Sequence, residues 1–209
     1  MKRIHRPDSP RMSKASSDCS VYALIDASLL RRFGLTLPEV GAFLEQEGIS
    51  IAQYRDKESS DAEVAAALET LKKHYRGTLI VNDRLGLAEL ADGLHMGQED
   101  LAALDEDPRR AVRTVRERLG RKLLGLSTHN AEEILRANSL DLDYIGLGAY
   151  RPTRTKKVTD IGGESLLEIA RLSRHPVAII GGVRWEDDFG APIRYKVLGS
   201  ALFERISVQ

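Results

Sequence analysis

The sequence predicts an α/β chain whose parallel sheet closes into a single-domain (β/α)8 barrel, on three observations. Short apolar runs, many of them β-branched, recur along the chain, each followed by a polar turn and then by helix caps or helical spacing. The runs are too uniformly apolar to leave one face wet, as expected of strands in a parallel sheet covered outside by helices. Eight such units can be traced, the number that closure needs, and no G-x-G-x-x-G follows the first, as an open dinucleotide-binding sheet would require.

Each element has a local reason. Residues 1–18 set Lys2, Arg3, Arg6, Arg11 and Lys14 among Pro and Ser, a composition that buries little apolar surface, and read as a flexible basic tail ahead of a barrel spanning 19–209. Val21 to Ile25 is the first strand, ending at Asp26. Thr36, Pro38 and Glu39 make the capped start of a helix that runs to Glu47 and stops at Gly48. Ile49 to Tyr54 is the second strand, Arg55 to Ser59 a polar loop, and Ser60 with Glu63 a second capping box before an Ala-rich helix ending near Tyr75. Thr78 to Val81 is the third strand and Gly93 to Met96 the fourth, with a compact helix on Leu85, Leu87, Ala88, Leu90 and Ala91 between them. Asp107 and Pro108 are an N-cap and first helical residue, opening a charged helix to Leu119 that Gly120 ends. Lys122 to Leu126 is the fifth strand, Asn130 to Asn138 a helix, and Tyr144 to Leu147 the sixth strand, followed by a polar loop from Ala149 to Gly163. Glu164 to Leu172 is helical, Val177 to Ile180 is the seventh strand, Tyr195 to Leu198 a weaker eighth, and Ala201 to Ile206 a brief last helix, so the C-terminal end is short.

Composition narrows the function classes. Lys plus Arg equals Asp plus Glu at 31 each, so no overall charge draws the chain to nucleic acid or an anionic membrane, and the basic tail lacks the aromatic residues of a nucleic-acid arm. Cys19 is the only cysteine, which rules out an intrachain disulfide and agrees with a reducing, cytoplasmic compartment. No apolar run is long enough to cross a bilayer, and no hydrophobic region follows the basic N-terminal residues as in a secretory leader.

In a barrel of this kind the segments after the strands build the site. Asp83 follows the third strand and Asp100 the fourth, so a parallel β-α-β unit sets the two carboxylates side by side, a pair of hard oxygen donors suited to Mg²⁺ with phosphate and water. Read singly, Asn82, Asp83 and Asp100 are equally ordinary turn and cap residues. After the second strand, Gln53, Arg55 and Lys57 alternate onto one side, an amide and two cations together; a solvated loop is the alternative. Ser127, Thr128, His129 and Asn130 meet a helix N-terminus, where hydroxyls and free N–H groups can hold an anion, although capping suits Asn130 and a packed or solvated role suits His129. Arg151, Arg154, Lys156 and Lys157 share the loop after the sixth strand with Thr153 and Thr155. Gly181 with Gly182, and Gly199 with Ser200, expose backbone N–H groups where this fold often seats phosphate.

From about Tyr22 to Ser200 these residues resemble the thiamine phosphate synthase family of TIM barrels. The matching pattern is Gln53-x-Arg55-x-Lys57, Asn82-Asp83-Arg84, Asp92-Gly93-x-His95-x-Gly97-Gln98-Glu99-Asp100, Ser127, Thr153-x-Thr155-Lys156 and Gly181-Gly182. The resemblance implies joining of 4-amino-2-methyl-5-hydroxymethylpyrimidine diphosphate to a thiazole phosphate, or its carboxylate, giving thiamine phosphate and pyrophosphate through a dissociative, Mg²⁺-dependent reaction. It further implies that Gln53, Arg55, Lys57, Asn82, Ser127 and Lys156 hold the pyrimidine diphosphate. Asp83 and Asp100 would bind the metal, and Thr153, Thr155, Gly182, Gly199 and Ser200 the thiazole phosphate. Arg55, Lys57, Lys156 and Ser127 are the catalytic set, the partners are small molecules, and a homo-oligomer is compatible with the short C-terminal end. Where that family has Gly-Pro, this chain has Gly148-Ala149, and Pro192-Ile193-Arg194-Tyr195 replaces the usual small residues before the eighth strand. Rival readings are a thiazole tautomerase of the same fold, with His129 as base, and a non-catalytic ligand-binding barrel; Asp83, Asp100 and the Thr155-Lys156 step favour the synthase.

Overall fold

A computed structural model describes residues 19–152 and 161–208, and its eight parallel strands close into a barrel in chain order. The strands are β1 (Ser20–Asp26), β2 (Ile51–Arg55), β3 (Thr78–Asn82), β4 (Gly93–Met96), β5 (Leu123–Thr128), β6 (Tyr144–Leu147), β7 (Val177–Ile179) and β8 (Ile193–Leu198). Closure is made where β8 returns to β1, pairing Ser20 with Tyr195 and Tyr22 with Val197.

The alternation of side chains along each strand produces two apolar layers. Outward residues such as Ala23, Ile25, Ala52, Val81, Leu94 and Leu124 pack under helices α1 (Ala27–Phe33), α2 (Leu37–Gln46), α3 (Asp61–His74), α4 (Gln98–Ala102), α5 (Pro108–Leu119), α6 (Ala131–Ala137), α7 (Glu164–Ala170) and α8 (Ser200–Ile206). Inward residues Tyr22, Leu24, Ile51, Ile80, Tyr144, Ala178, Tyr195 and Val197 form a second cluster that plugs the barrel interior. The plug gives the mouth a solid floor.

Both capping boxes form: Thr36 and Ser60 accept from the N3 backbone while Glu39 and Glu63 accept from the cap backbone at 2.7 and 2.8 Å. Such a cap contributes about 1 kcal/mol. The Lys122 ammonium donates to the carbonyls of Ala88, Glu89 and Ala91 at 2.8–2.9 Å, closing the carbonyl end of the turn between β3 and β4. The compact helix expected there is a 3₁₀ helix over Leu85–Leu90, a form suited to a six-residue segment for which Arg84 provides no side-chain cap.

Two helices were not expected. α1 starts directly from β1, with the Asp26 carboxylate accepting from Ser28 N at 3.0 Å and Gly34 in the left-handed conformation ending it. α4 is five residues long and begins at Gly97, which has no side chain to cap with. β8 starts earlier than expected, at Ile193, so Arg194 is a strand residue. Between β7 and β8 the chain has turns and no helix. The basic tail, 1–18, and the loop residues Thr153, Thr155 and Lys156 lie outside the described residues.

Candidate active site

The C-terminal ends of the strands surround a cavity of about 460 Å³. Its wall is made of the inward residues above the plug, and it collects Gln53, Arg55, Lys57, Asn82, Asp83, Asp100, Ser127, Gly182, Gly199 and Ser200, so every expected site residue among those described lines one space.

The rim over β2, β3 and β4 is ionic. Asp83 has a positive φ of 58°, a conformation that Asp tolerates better than most residues and that turns its carboxylate inward. One carboxylate oxygen accepts from Gly97 N at 3.0 Å; the other takes the Lys57 ammonium at 2.6 Å and the Asn82 amide. Asp100 lies alongside: a Cβ added to Gly97 would stand 2.9 Å from an Asp100 oxygen and 3.9 Å from an Asp83 oxygen. Burial pushes the Asp83 carboxyl up, but the Lys57 hydrogen bond and charge and the Gly97 N–H outweigh it and hold the group below the usual range. Asp100 is pushed above that range by burial and then by the Asp83 charge. Two carboxylates that repel in this way, offering only oxygen, suit a divalent hard cation, and the open sides leave room for phosphate and water.

Arg55 turns to the buried Asp26 carboxylate, an ion pair that holds its guanidinium at the mouth between β1 and β2. Gln53 lies below it. Ser127 sits on β5 with its carbonyl accepting from Gln98 Nε2 at 2.6 Å and its hydroxyl 2.9 Å from His95 Nε2. On the opposite side Gly181 and Gly182 have φ of 94° and 59°, and a Cβ on either would press into the β6 loop, at Ala149 or Arg151. Both positions therefore need glycine. Arg151 braces this corner with a forked ion pair to Asp187 at 2.5 and 3.0 Å.

Asn130 caps α6 through Glu133 N at 2.9 Å, and His129 Nδ1 lies 3.0 Å from Glu133. Asp26, Tyr22 and Tyr144 are buried at or beneath the mouth and carried no expected role. His95, which lies within the family-like pattern, joins them. Its buried imidazole touches Tyr144 Oη at 3.1 Å as well as Ser127, and burial lowers its pKa to about 4, against the pull of Asp83. The readable trace of that buried set is a pair of strand glycines, Gly125 and Gly146, whose missing side chains make its space.

A closed parallel barrel with a carboxylate pair, cations and glycine turns round one mouth has the arrangement of a barrel enzyme that takes a small anionic ligand. The family model for thiamine monophosphate synthase matches residues 21–203. A thiamine-phosphate synthase of Persephonella marina is 36% identical over 176 residues, 79% of this chain and 78% of the relative. One from Lawsonia intracellularis is 38% identical over 149 residues, 68% of this chain and 64% of the relative. Among solved structures, thiamine phosphate pyrophosphorylase from Pyrococcus furiosus superposes with a TM-score of 0.68 at 22% identity, covering 92% of this chain and 96% of that one, and so shares its fold. The chain belongs to the thiamine monophosphate synthase family.

Proposed function

We propose that the enzyme joins 4-amino-2-methyl-5-hydroxymethylpyrimidine diphosphate to 4-methyl-5-(2-phosphoethyl)thiazole, or its carboxylate, to give thiamine phosphate and pyrophosphate, with Mg²⁺ at Asp83 and Asp100. The observation that carries the assignment is the adjoining Asp83 and Asp100 carboxylates, one held ionised by Lys57 and the other pushed toward its neutral form by burial and its neighbour. Bound there, Mg²⁺ would supply charge neutralisation to the departing diphosphate.

The chain's own residues do the rest. Lys57 and Arg55, anchored by Asp83 and Asp26, present two cations on the same side of the mouth, and Ser127 and Asn82 add neutral polar contacts. As the bond to the pyrimidine lengthens, negative charge grows on the diphosphate, and groups already oriented toward it stabilise that state more than the substrate. Lys156 joins this set. Gln53 meets the pyrimidine, while Thr153, Thr155, Gly182, Gly199 and Ser200 seat the thiazole phosphate, so that the thiazole nitrogen stands ready to capture the pyrimidine cation. No protein nucleophile is required. His129, the base that a tautomerase reading would use, is engaged by Glu133 at the start of α6. The enzyme acts in the cytoplasm on small molecules, and its short C-terminal end is compatible with a homo-oligomer; no helix among the described residues is long and apolar enough to cross a membrane.

The test is pyrophosphate release by purified protein with both substrates and Mg²⁺, with thiamine phosphate followed by chromatography. Product that disappears with EDTA and returns with added Mg²⁺ supports the reading. A folded protein that gives no product under any metal condition overturns it.

A further inference from the structure

The floor of the cavity holds three polar side chains to which the reaction above gives no task, Tyr22, Tyr144 and His95, strung between Gln53 and Ser127. Gln53 Nε2 donates to Tyr22 Oη at 2.9 Å, Tyr22 Oη lies 2.9 Å from Tyr144 Oη, Tyr144 Oη 3.1 Å from His95 Nδ1, and His95 Nε2 2.9 Å from Ser127 Oγ. The chain crosses the barrel from β2 to β5 by way of β1, β6 and β4. Tyr22, Tyr144 and His95 are buried, and the His95 and Tyr144 rings stack at 5.5 Å. The arrangement is built in: a Cβ on Gly125 would run into the Tyr144 hydroxyl and stand 2.6 Å from His95 Nδ1, and one on Gly146 would press on His95 Cε1 at 3.1 Å.

Proton counting gives the chain a direction. A phenol has one proton and a neutral imidazole one, whereas an amide nitrogen can only donate. With Gln53 donating to Tyr22, the arrangement that leaves no buried proton without an acceptor in the chain sends the Tyr22 proton to Tyr144 and the Tyr144 proton to His95 Nδ1. The imidazole therefore carries its own proton on Nε2 and gives it to Ser127 Oγ. Ser127 is left with its hydroxyl proton for the cavity, and at the other end Gln53 has its carbonyl oxygen to offer.

We propose that Gln53, Tyr22, Tyr144, His95 and Ser127 form a polarity relay that couples recognition of an amino group on the pyrimidine to hydrogen-bond donation toward the leaving diphosphate. Tyr22, Tyr144 and His95 are positioning residues within it. For the identity of the ligands at its two ends the relay rests on the proposed function; its internal order does not. A ring with an oxo group in place of the amino group would turn the Gln53 amide over. Every link would then reverse, and Ser127 would spend its proton on His95. Selection for the amino group would thus appear in kcat, beyond any effect on KM.

The first measurement is the nitrogen NMR spectrum of full-length protein labelled with ¹⁵N-histidine, with His95 assigned by a His95→Gln variant. The relay requires the neutral Nε2–H tautomer; an Nδ1–H tautomer or an imidazolium overturns it, and this reading is independent of activity. The second is the Tyr144→Phe variant, assayed with 4-amino and 4-oxo pyrimidine diphosphates and the same thiazole phosphate. Loss of one hydrogen-bond link to a charged centre predicts a kcat about tenfold lower with the amino substrate and a smaller amino-to-oxo ratio of kcat, with KM for the thiazole phosphate little changed. A ratio equal to that of the wild type overturns the relay. Absence of thiamine phosphate from the wild type overturns the proposed function instead, and the His95 tautomer still decides the order of the chain.

Discussion

The rim and the floor of the mouth share residues and solvent access differs sharply between them. Lys57, on the rim, is 52% exposed and pairs with Asp83, whereas Tyr22 and Tyr144 on the floor are each 1% exposed and pair with neutral partners. A charge pair open to water contributes little to stability and can trade partners when a ligand arrives. A buried neutral network has no water to fall back on, so its geometry is set during folding and each broken link leaves a polar atom stranded. The rim is therefore adaptable and chemical, and the floor is rigid and directional.

The largest effect expected from this contrast is on the rim. Asp83→Asn, which keeps a side chain that tolerates the positive φ, should lower kcat by about a thousandfold or more if the carboxylate holds the metal proposed above and orients Lys57, while the thermal midpoint measured by calorimetry moves little. A melting transition that collapses with activity would erase the distinction. Ser127 belongs to both regions, and Ser127→Ala should lower kcat by about 10- to 100-fold in steady-state assays, with little change in stability. On the floor the weight shifts to folding. Gly125→Ala should destabilise by about 1–3 kcal/mol in urea titrations by forcing a methyl group against Tyr144 and His95; an unchanged midpoint would mean that the floor can give way. The smallest effect is expected outside both. The Tyr75 hydroxyl is buried without a partner among the described residues, so Tyr75→Phe should leave kcat unchanged and raise stability by about 1 kcal/mol.

The same contrast explains what the sequence made legible. Strand-end charges such as Lys57, Asp83 and Asp100 stand out because the fold predicts where strand ends gather, and local caps such as Thr36 with Glu39 mark helices without tertiary knowledge. α4, of five residues, is too short to show a period, and α1 follows β1 with no residue between them, so no turn marks where the strand gives way to helix. Pro192 concealed the start of β8, because proline is at home at a strand's beginning as well as at a break. The floor was illegible for another reason. Tyr22 and Tyr144 read only as strand residues, and the hydrogen bond between them spans 122 positions of sequence, a pairing that only barrel closure creates. Asp26 read as a strand end, and its ion pair with Arg55 likewise depends on β1 lying beside β2.

The seam between β1 and β8 carries a consequence for how the chain is made. β1 finds β2 soon after both are synthesised, but β8, its other neighbour, follows it only after six further strands. Through most of translation one edge of β1 is a bare row of amides and carbonyls beside an apolar strand, the kind of edge that recruits other chains. Tyr22, which later packs edge-on against Tyr195, waits on that edge without its ring partner. Biogenesis is thus gated by the arrival of β8, and holding factors that shield β1 until then should raise the yield of folded enzyme more than any that act after the barrel has closed.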